Sequence, residues 1–340
     1  MQPILVNLPV WPILLMAGGL FAHLFFIPLN IKGMLRTGLV LGAALLILAV
    51  GLIGGFAGKE FPIRGYGTMV LIGFLLAVYI AARRAKNVGL EPVFCLDLGL
   101  WILIGGLAGS RLFYVFEFWE EYSPFQSGGL RNVLGIFEIW KGGLVFYGGL
   151  ITSFFIIWWY CRKHRVRIVP MMDLASPSCM IGLALGRVGC FLNGCCFGKT
   201  CTAPWGVKFP PQSAAYADFY KLGDVHPQLR AAFYMEHPTT PALHPTQLYA
   251  VIGALLCTAC LYALWPRRMY DGFIFGLMLV MAGTTRFFEE VMRADNPVSM
   301  PQLSDKFTVA QWIGVAFVVV GLSWLAVFRR SGAPVPNIRY

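Results

Sequence analysis

The sequence has few charged residues for its length. Only 13% of its 340 residues are Asp, Glu, Lys or Arg, whereas 58% are hydrophobic and the mean hydropathy is +0.68. Soluble domains carry about 25% charged residues. This scarcity excludes an ordinary soluble domain and predicts an integral membrane protein.

Several familiar functional motifs are also missing from the sequence. It has no GxGxxG segment after a predicted strand, no GxxxxGK[ST] segment and no histidine–carboxylate metal set, so nothing indicates a nucleotide, a redox cofactor or a metal of the usual kinds. Internal repeats and low-complexity tracts are absent. No Lys or Arg precedes Lys32, so the N-terminus lacks the basic region of a cleavable signal peptide, and we expect a retained helix.

The formal net charge of +11 does not indicate nucleic-acid binding. The basic residues fall in short clusters between apolar segments, which is the distribution expected of cytoplasmic loops in a membrane protein. Every second connection is basic, and the alternate connections carry most of the acidic residues. This pattern places the N-terminus outside and the C-terminus in the cytoplasm.

Nine apolar segments are long enough to cross a bilayer core of about 30 Å, which requires about 20 helical residues. We therefore predict an all-α, polytopic membrane protein with about nine transmembrane helices. These lie near residues 10–29, 37–57, 66–82, 93–116, 143–160, 173–191, 245–264, 271–291 and 308–327.

The longest connection, residues 193–244, is predicted on the outer side. It is rich in proline and aromatic residues, as in PWGVKFPP and HPTTPALHP. A loop of this length is usually either functional or disordered. Its Trp and Tyr content favours a small ordered head or lid over a disordered insertion.

Seven polar or ionisable side chains fall in the outer half of the predicted spans. Charges within spans are costly and commonly mark function. If these residues were independent snorkelling side chains, they should occur on both sides of the membrane. Their common depth therefore favours one shared site. The seven are Tyr66, Arg111, Tyr147, Arg187, His244, Arg286 and Glu290.

The segment LGRVGCFLNGCCFG, residues 185–198, contains the most distinctive of these arginines. Its glycines allow a close approach of the backbone to a ligand, and the guanidinium of Arg187 can bind two phosphate oxygens at once. The alternative is a helix end whose glycines serve close packing. The excess of arginine over glutamate at this depth favours an anion, and the anion already in a membrane is a phospholipid phosphate.

Six motifs in order resemble those of the bacterial prolipoprotein diacylglyceryl transferases, from about Gly65 to Arg330. The motifs are GYG at 65–67, GSR at 109–111, GGLVFYGGL at 142–150, GRVGCFLNGCCFG at 186–198, HPTQLY at 244–249 and RFFEE at 286–290. The resemblance implies a seven-helix core within a transferase domain at 61–330, with the outer head at 193–244. Residues 1–60 would add two N-terminal helices, and residues 331–340 would form a cytoplasmic tail.

The resemblance also implies a reaction in the bacterial inner membrane, at a site facing the periplasm. Members transfer the diacylglyceryl group of phosphatidylglycerol to the lipobox cysteine of a preprolipoprotein and release glycerol 1-phosphate, the first step of lipoprotein maturation. They need no metal or soluble cofactor. The implied partners are phosphatidylglycerol, preprolipoprotein signal peptides and membrane lipids, without nucleic acid.

By position in the motifs, the resemblance assigns Arg187 and Arg286 to the phosphate and Glu290 to orienting Arg286 or handling a proton. The assigned catalytic residues are Arg187, Arg286, Glu290, Tyr147, Tyr66 and Asn193. The assigned substrate-binding residues are Arg187, Arg111, Gly198, Gly148, Gly149, His244, Gln247 and Tyr249.

Three positions depart from the pattern of the family. Tyr147 stands where members often have histidine, and a phenol with a pKa of about 10 is a poorer general base than imidazole. Cys190 and Cys195 replace the asparagine and the glutamate of GNFINGE. Either this branch moves the proton differently, or the histidine is not strictly catalytic.

Four cysteines crowd one region: Cys190, Cys195, Cys196 and Cys201. Free thiols and a disulfide involving Cys201 are the favoured alternatives, since the outer side is oxidising. Zinc binding is less favoured because adjacent cysteines are not the usual ligand spacing. A reactive catalytic thiol is the least favoured.

Two other functions compete with the transferase. The departures leave open a non-catalytic relative that only binds phospholipid or lipoprotein. An anion transporter is a weaker alternative, because it would need polar residues through the whole membrane depth and often has repeated halves, whereas the inner half of these spans is almost purely apolar.

Overall fold

The computed structural model describes residues 65–122, 136, 143, 145–211, 213–221, 230–294 and 307–331. These residues form α-helices with short 3₁₀ segments and no strand. The helices are α1 (Gly65–Arg84), α2 (Pro92–Glu117), α3 (Trp119–Tyr122), α4 (Phe146–Lys163), α5 (Ile168–Asn193), α6 (Ala214–Phe219), α7 (Arg230–Glu236), α8 (Thr246–Leu264), α9 (Phe273–Met292) and α10 (Val309–Ser331).

Five of these helices are long and apolar enough to cross a membrane: α1, α2, α5, α8 and α10, with α1 and α8 extended by 3₁₀ turns to Val88 and Arg267. The prediction of an all-α, polytopic membrane protein is confirmed at this level. Helices α4 and α9 coincide with two further predicted spans. The predicted spans 10–29 and 37–57 lie outside the described residues, so the total of nine stays a prediction.

The chain divides into two compact units. The first comprises the described residues up to Ile80 and from Asp173 onward, and the second comprises Ala81–Met172. Each is described separately below.

In the second unit, α2 and α4 pack closely through small residues. A Cβ atom on Gly148 would lie 2.5 Å from the carbonyl oxygen of Gly109, and one on Gly149 would lie 3.1 Å from that of Gly106. Only glycine permits this separation of the two backbones. The predicted substrate-binding glycines at 148 and 149 therefore have a packing role, and their binding role stays a prediction.

In the first unit, glycines also set the spacing of paired helices. A Cβ atom on Gly73 of α1 would lie 3.0 Å from the carbonyl oxygen of Gly182 of α5. On α9, a Cβ atom on Gly283 would lie 2.5 Å from the carbonyl oxygen of Gly314 of α10. These contacts hold α1 against α5 and α9 against α10 at positions where small residues favour close helix association.

A buried carboxylate anchors the beginning of α9. Asp173 of α5 is 1% exposed, and it accepts hydrogen bonds from the backbone N–H groups of Gly272 (2.7 Å) and Phe275 (2.8 Å). The first N–H groups of a helix have no partner within the helix, so a carboxylate from another helix acts here as the cap. Gly272 has a φ of 94°, a left-handed conformation that favours glycine.

We expect Asp173→Asn to lower the free energy of unfolding by about 1.5–3 kcal/mol, the range for buried hydrogen bonds to a charged group. The amide places an NH₂ group where a second oxygen accepts a hydrogen bond now. The midpoint of thermal denaturation in detergent would check this. Asp218→Asn, at an exposed position, is the control; equal midpoints for both variants would contradict the capping role.

The described part of the loop 193–244 is ordered. Phe197, Phe209, Ala215 and Leu243 form a buried apolar cluster. Fully buried Tyr216 donates a hydrogen bond from its hydroxyl to the carbonyl oxygen of His237. These contacts show that the described part of this loop is packed, and the head on the outer side stays a prediction.

Candidate active site

A cluster of charged side chains gathers on one face of α9 in the first unit. Arg286, Glu289, Glu290 and Arg293 lie three, four and seven residues apart, a spacing that places them along one face of the helix and its C-terminal edge. Arg187, in the last two turns of α5, joins them through Glu289. We call these five residues the arginine–glutamate cluster.

Within this cluster, the tight contacts are made to Glu290. Arg286 Nη2 lies 2.6 Å from Glu290 Oε2, and Arg293 Nη1 lies 3.4 Å from the same oxygen. The hydroxyl of Thr308 donates a hydrogen bond of 3.2 Å to the other oxygen of Glu290. Glu290 is 4% exposed, so its carboxylate holds both arginines in a fixed position.

The contacts to Glu289 are looser. Its Oε2 atom lies 3.6 Å from Arg187 Nη2 and 3.8 Å from Arg286 Nη1, beyond hydrogen-bonding distance in both cases. Within the described part of the chain, the buried Nη1 group of Arg286 makes no hydrogen bond. Three arginines against two glutamates leave one net positive charge. Incompletely hydrogen-bonded guanidinium groups with excess positive charge can bind a phosphate.

The segment after α5 curls back on the end of that helix. Gly194 has a φ of 73°, Cys196 has a φ of 59°, and the N–H group of Cys195 donates a hydrogen bond of 3.1 Å to the carbonyl oxygen of Cys190. This turn brings the sulfur atoms of Cys190, Cys195 and Cys196 within 4.8 Å of one another. All nine cysteines are free thiols in the structure, so Cys201 forms no disulfide.

The electrostatic setting of Cys196 favours its thiolate. Hydrogen bonds from the thiols of Cys190 and Cys195 hold the pKa of Cys196 below the ordinary range of a thiol. Burial opposes this lowering of the pKa, and the charges of Arg293 and Arg187 add smaller contributions to it. Asn193, the last residue of α5, lies two residues before Cys195. The positive field of the arginines therefore reaches the thiols.

The first turn of α8 fixes the backbone of this turn. Gln247 donates a hydrogen bond of 2.7 Å from Nε2 to the carbonyl oxygen of Cys195, and Thr246 donates one of 2.6 Å to that of Cys196. Gly198 donates from its N–H group to the carbonyl oxygen of His244 at 3.0 Å. A Cβ atom at Gly198 would lie 2.7 Å from that oxygen, so only glycine fits.

Beside the cluster lies an apolar cavity of about 650 Å³. The hydroxyl of Tyr249 accepts a hydrogen bond of 2.8 Å from Trp205 Nε1 and lies 3.2 Å from Nδ1 of His244. These three side chains line the cavity together with Glu289 and Phe288. The predicted residues His244 and Tyr249 therefore form part of its wall, whereas fully buried Gln247 supports the cysteine turn.

Tyr66, at the beginning of α1, belongs to the same region. Its backbone packs on Gly189 of α5, where a Cβ atom would lie 3.1 Å from the carbonyl oxygen of Tyr66. Its phenol is within electrostatic range of Arg187 and the three thiols. Of the predicted site residues, the first unit thus brings together Tyr66, Arg187, Asn193, Gly198, His244, Gln247, Tyr249, Arg286 and Glu290.

Four predicted site residues belong to the second unit: Arg111, Tyr147, Gly148 and Gly149. The guanidinium of Arg111 is 6% exposed and donates hydrogen bonds to the carbonyl oxygens of Ile136 (2.8 Å) and Gly143 (3.1 Å) and to the hydroxyl of Tyr122 (3.2 Å). Tyr147, at the start of α4, is 56% exposed. Arg111 therefore cross-links the segments that flank α2 and α4, and its predicted contact with substrate stays untested.

Sequence reasoning missed two members of the cluster, Glu289 and Arg293. Their spacing of three and seven residues from Arg286 was a usable signal, because residues at those intervals share a helical face. Their partners could not be predicted in the same way. The contact of Glu289 with Arg187 joins α9 to α5, and these positions are 102 residues apart in the sequence.

Comparison with known proteins gives a consistent result. The sequence model of the prolipoprotein diacylglyceryl transferase family matches residues 54–327. Three relatives carry the name phosphatidylglycerol–prolipoprotein diacylglyceryl transferase. They come from Xanthomonas axonopodis pv. citri (34% identity, 79% of this chain and 88% of the relative), Stenotrophomonas maltophilia (30%, 81% and 91%) and Clostridium tetani (29%, 76% and 91%).

Proposed function

The chain belongs to the prolipoprotein diacylglyceryl transferase family, and from this premise we propose that it transfers the diacylglyceryl group of phosphatidylglycerol to the lipobox cysteine of a preprolipoprotein. The observation that carries this proposal is the arginine–glutamate cluster. It holds a net positive charge at the ends of two helices, next to an apolar cavity that suits lipid.

The cluster suits the charge that develops in this reaction. The acceptor thiol attacks the glyceryl carbon that bears the phosphate, so a C–S bond forms as the C–O bond breaks. The electron pair leaves with the phosphate oxygen, and glycerol 1-phosphate is released. Arginines directed at this phosphate stabilise the transition state. We assign Arg187 and Arg286 to that role and Glu290 to holding Arg286.

The remaining predicted residues receive supporting roles. Tyr66 lies within electrostatic range of the thiols and Arg187, and Asn193 ends α5 directly before the cysteine turn, so both would orient the acceptor cysteine. His244 and Tyr249 would contact the acyl chains or the signal peptide in the cavity. For Arg111, Tyr147, Gly148 and Gly149, which belong to the second unit, we propose the roles that the resemblance implies.

We further propose the bacterial inner membrane as the location, with nine transmembrane helices and the head at 193–244 on the outer side. Basic residues at the ends of α1, α4 and α10 support a cytoplasmic location for those ends and for the tail at 331–340. The acceptor cysteine of an exported precursor would then meet the site from the outer leaflet.

The proposal is tested with purified protein in detergent, phosphatidylglycerol and a peptide that bears a lipobox cysteine. We expect glycerol 1-phosphate release matched by a gain of one diacylglyceryl mass on the peptide. Arg187→Ala should lower the rate by about 100- to 1,000-fold, as expected when a transition-state donor is lost. Arg330→Ala, at an exposed position at the far end of α10, is the matched control.

A peptide with serine in place of cysteine should remain unmodified, because the reaction requires the thiol. If folded parent protein bound phosphatidylglycerol but modified no cysteine peptide, the transferase proposal would fail. The binding-only alternative would then be supported. An unchanged rate in Arg187→Ala would instead refute the phosphate role of the cluster.

A further inference from the structure

The reaction leaves one requirement unmet by the residues assigned so far. A free thiol with a pKa of about 8.5 is mostly protonated at neutral pH and must lose its proton to become a strong nucleophile. Tyr147 and Cys195 stand where related sequences often carry a histidine and a glutamate. In the first unit, the structure offers another group that can activate a thiol, the three thiols at the end of α5.

These thiols have the separation of metal ligands. The sulfur atoms of Cys190, Cys195 and Cys196 all lie within 4.8 Å of one another. Three sulfur atoms bound tetrahedrally to zinc at about 2.3 Å stand about 3.8 Å apart. Small side-chain rotations would therefore bring all three sulfur atoms within bonding distance of one ion. The spacing in sequence is atypical of zinc sites, but the turn at Gly194 removes that difficulty by folding Cys195 back to Cys190.

The backbone of this turn is fixed by neighbouring side chains, as a preformed metal site requires. Two hydrogen bonds, from fully buried Gln247 and nearly buried Thr246, fix the carbonyl groups of Cys195 and Cys196. Cys196 has a left-handed φ of 59°, a conformation that non-glycine residues rarely adopt. Such strain persists where the surrounding structure over-determines it, and it concentrates at functional sites.

We propose that Cys190, Cys195 and Cys196 bind a Zn²⁺ ion through three thiolates and leave its fourth position open to an exogenous thiol. Structural zinc sites have four protein ligands, whereas catalytic sites have three and an open position. Among the described residues, no fourth ligand joins this group. All three cysteines are partly exposed, so an exogenous thiol can reach the group.

Binding of the acceptor thiol at the open position would explain how this thiol loses its proton. This part of the inference rests on the proposed function. The acceptor thiol would bind Zn²⁺ as a thiolate and release its proton to water. Its sulfur would then attack the glyceryl carbon, the C–O bond would break, and the phosphate oxygen would keep the electron pair. The metal undergoes no redox change, and the arginine–glutamate cluster would hold the leaving phosphate nearby.

The site is tested first without any transfer assay. We expect full-length protein, purified in detergent with a non-thiol reductant, to contain one zinc per chain. After chelation, Co²⁺ should bind in equal stoichiometry and produce a thiolate-to-cobalt charge-transfer absorption. Cys190→Ser, Cys195→Ser and Cys196→Ser should each weaken Co²⁺ binding by at least about 100-fold, because even an outer-shell partner is worth 10- to 100-fold.

Cys201→Ser is the matched control, because Cys201 is a buried cysteine of the same head outside the thiol group. It should bind Co²⁺ like the parent. Thermal denaturation of each variant separates lost metal binding from lost folding. The site is overturned if the folded parent binds neither metal, if Cys201→Ser loses binding equally, or if mass mapping finds two of the three thiols joined in a disulfide.

Binding of the acceptor thiol at the open position is measured separately, by the absorption of the bound cobalt. Adding the cysteine peptide to the Co²⁺-loaded parent should intensify and shift the charge-transfer absorption, whereas the serine peptide should leave it unchanged. An unaltered spectrum with both peptides would overturn the open position. A metal site with the expected peptide response but no transfer from phosphatidylglycerol would refute the proposed function while leaving the zinc–thiolate site supported.

Discussion

Replacing Arg286 by alanine is expected to reduce the rate of diacylglyceryl transfer by about 100- to 1,000-fold, the cost of losing one positioned donor to a developing anion. Arg286 is the arginine of the cluster whose buried Nη1 group makes no hydrogen bond among the described residues, while its Nη2 group is held by Glu290 at 2.6 Å. One end of the guanidinium is thus fixed, and the other is available to a phosphate.

The same assay can separate charge from geometry at this position. Arg286→Lys keeps a positive charge but lacks the planar fork that binds two oxygens, so we expect a rate between those of the parent and the alanine variant. Arg187 and Arg286 share Glu289. Because residues with a common partner are seldom additive, the double alanine variant should lose less than the product of the two single effects.

Two results would contradict this role. Arg286→Ala could retain a rate within a few-fold of the parent, or the loss could be matched by Arg330→Ala. The midpoint of thermal denaturation must be measured beside each rate, because Arg286 also contributes to the packing of α9. A rate loss in a variant with a normal midpoint assigns the effect to chemistry rather than to folding.

Replacing Glu290 by alanine is expected to lower the free energy of unfolding by about 3–5 kcal/mol, the cost of removing one partner from a buried ion pair. Glu290 is 4% exposed and pairs with both Arg286 and Arg293. Without it, the partly buried guanidinium groups of Arg286 and Arg293 would lose the carboxylate that they share. The midpoint of denaturation in detergent measures the effect.

Glu289→Ala is the matched control for this prediction, since it removes the neighbouring carboxylate of the same helix. Its ion pairs are 3.6 and 3.8 Å long and its side chain is 15% exposed, so we expect a loss of about 1 kcal/mol or less. Glu290→Gln should lie between the two, because the amide oxygen can still accept the hydrogen bond from Thr308. A larger loss in Glu289→Ala than in Glu290→Ala would contradict the assigned geometry.

Several site residues could be predicted only in part. Arg111 was singled out because it is a charge within an apolar span, and the structure places its donors on the carbonyl oxygens of Ile136 and Gly143. A sequence pattern marks a buried charge but does not identify its partner. The same limit applies to Gly148 and Gly149, whose pattern suits ligand binding and helix packing alike, and whose observed neighbours are residues of α2.

The amino-acid sequence by itself determined that this is a helical membrane protein, where the described spans lie, and that Arg187, Arg286 and Glu290 carry its distinctive charge. These properties follow from hydropathy, helical spacing and the order of motifs, all of which are local in the chain. It also led to the family. None of this depends on how the helices pack.

Only the tertiary structure decided which groups meet. It joined Glu289 to Arg187 across 102 positions, capped α9 with Asp173 from another helix, and brought the sulfur atoms of three of the four crowded cysteines within 4.8 Å of one another. The physical reason is that hydrogen bonds, ion pairs and ligand sets depend on distances of a few ångströms between separate segments. Those distances are set by close glycine contacts and by a left-handed turn, and local sequence patterns do not encode them.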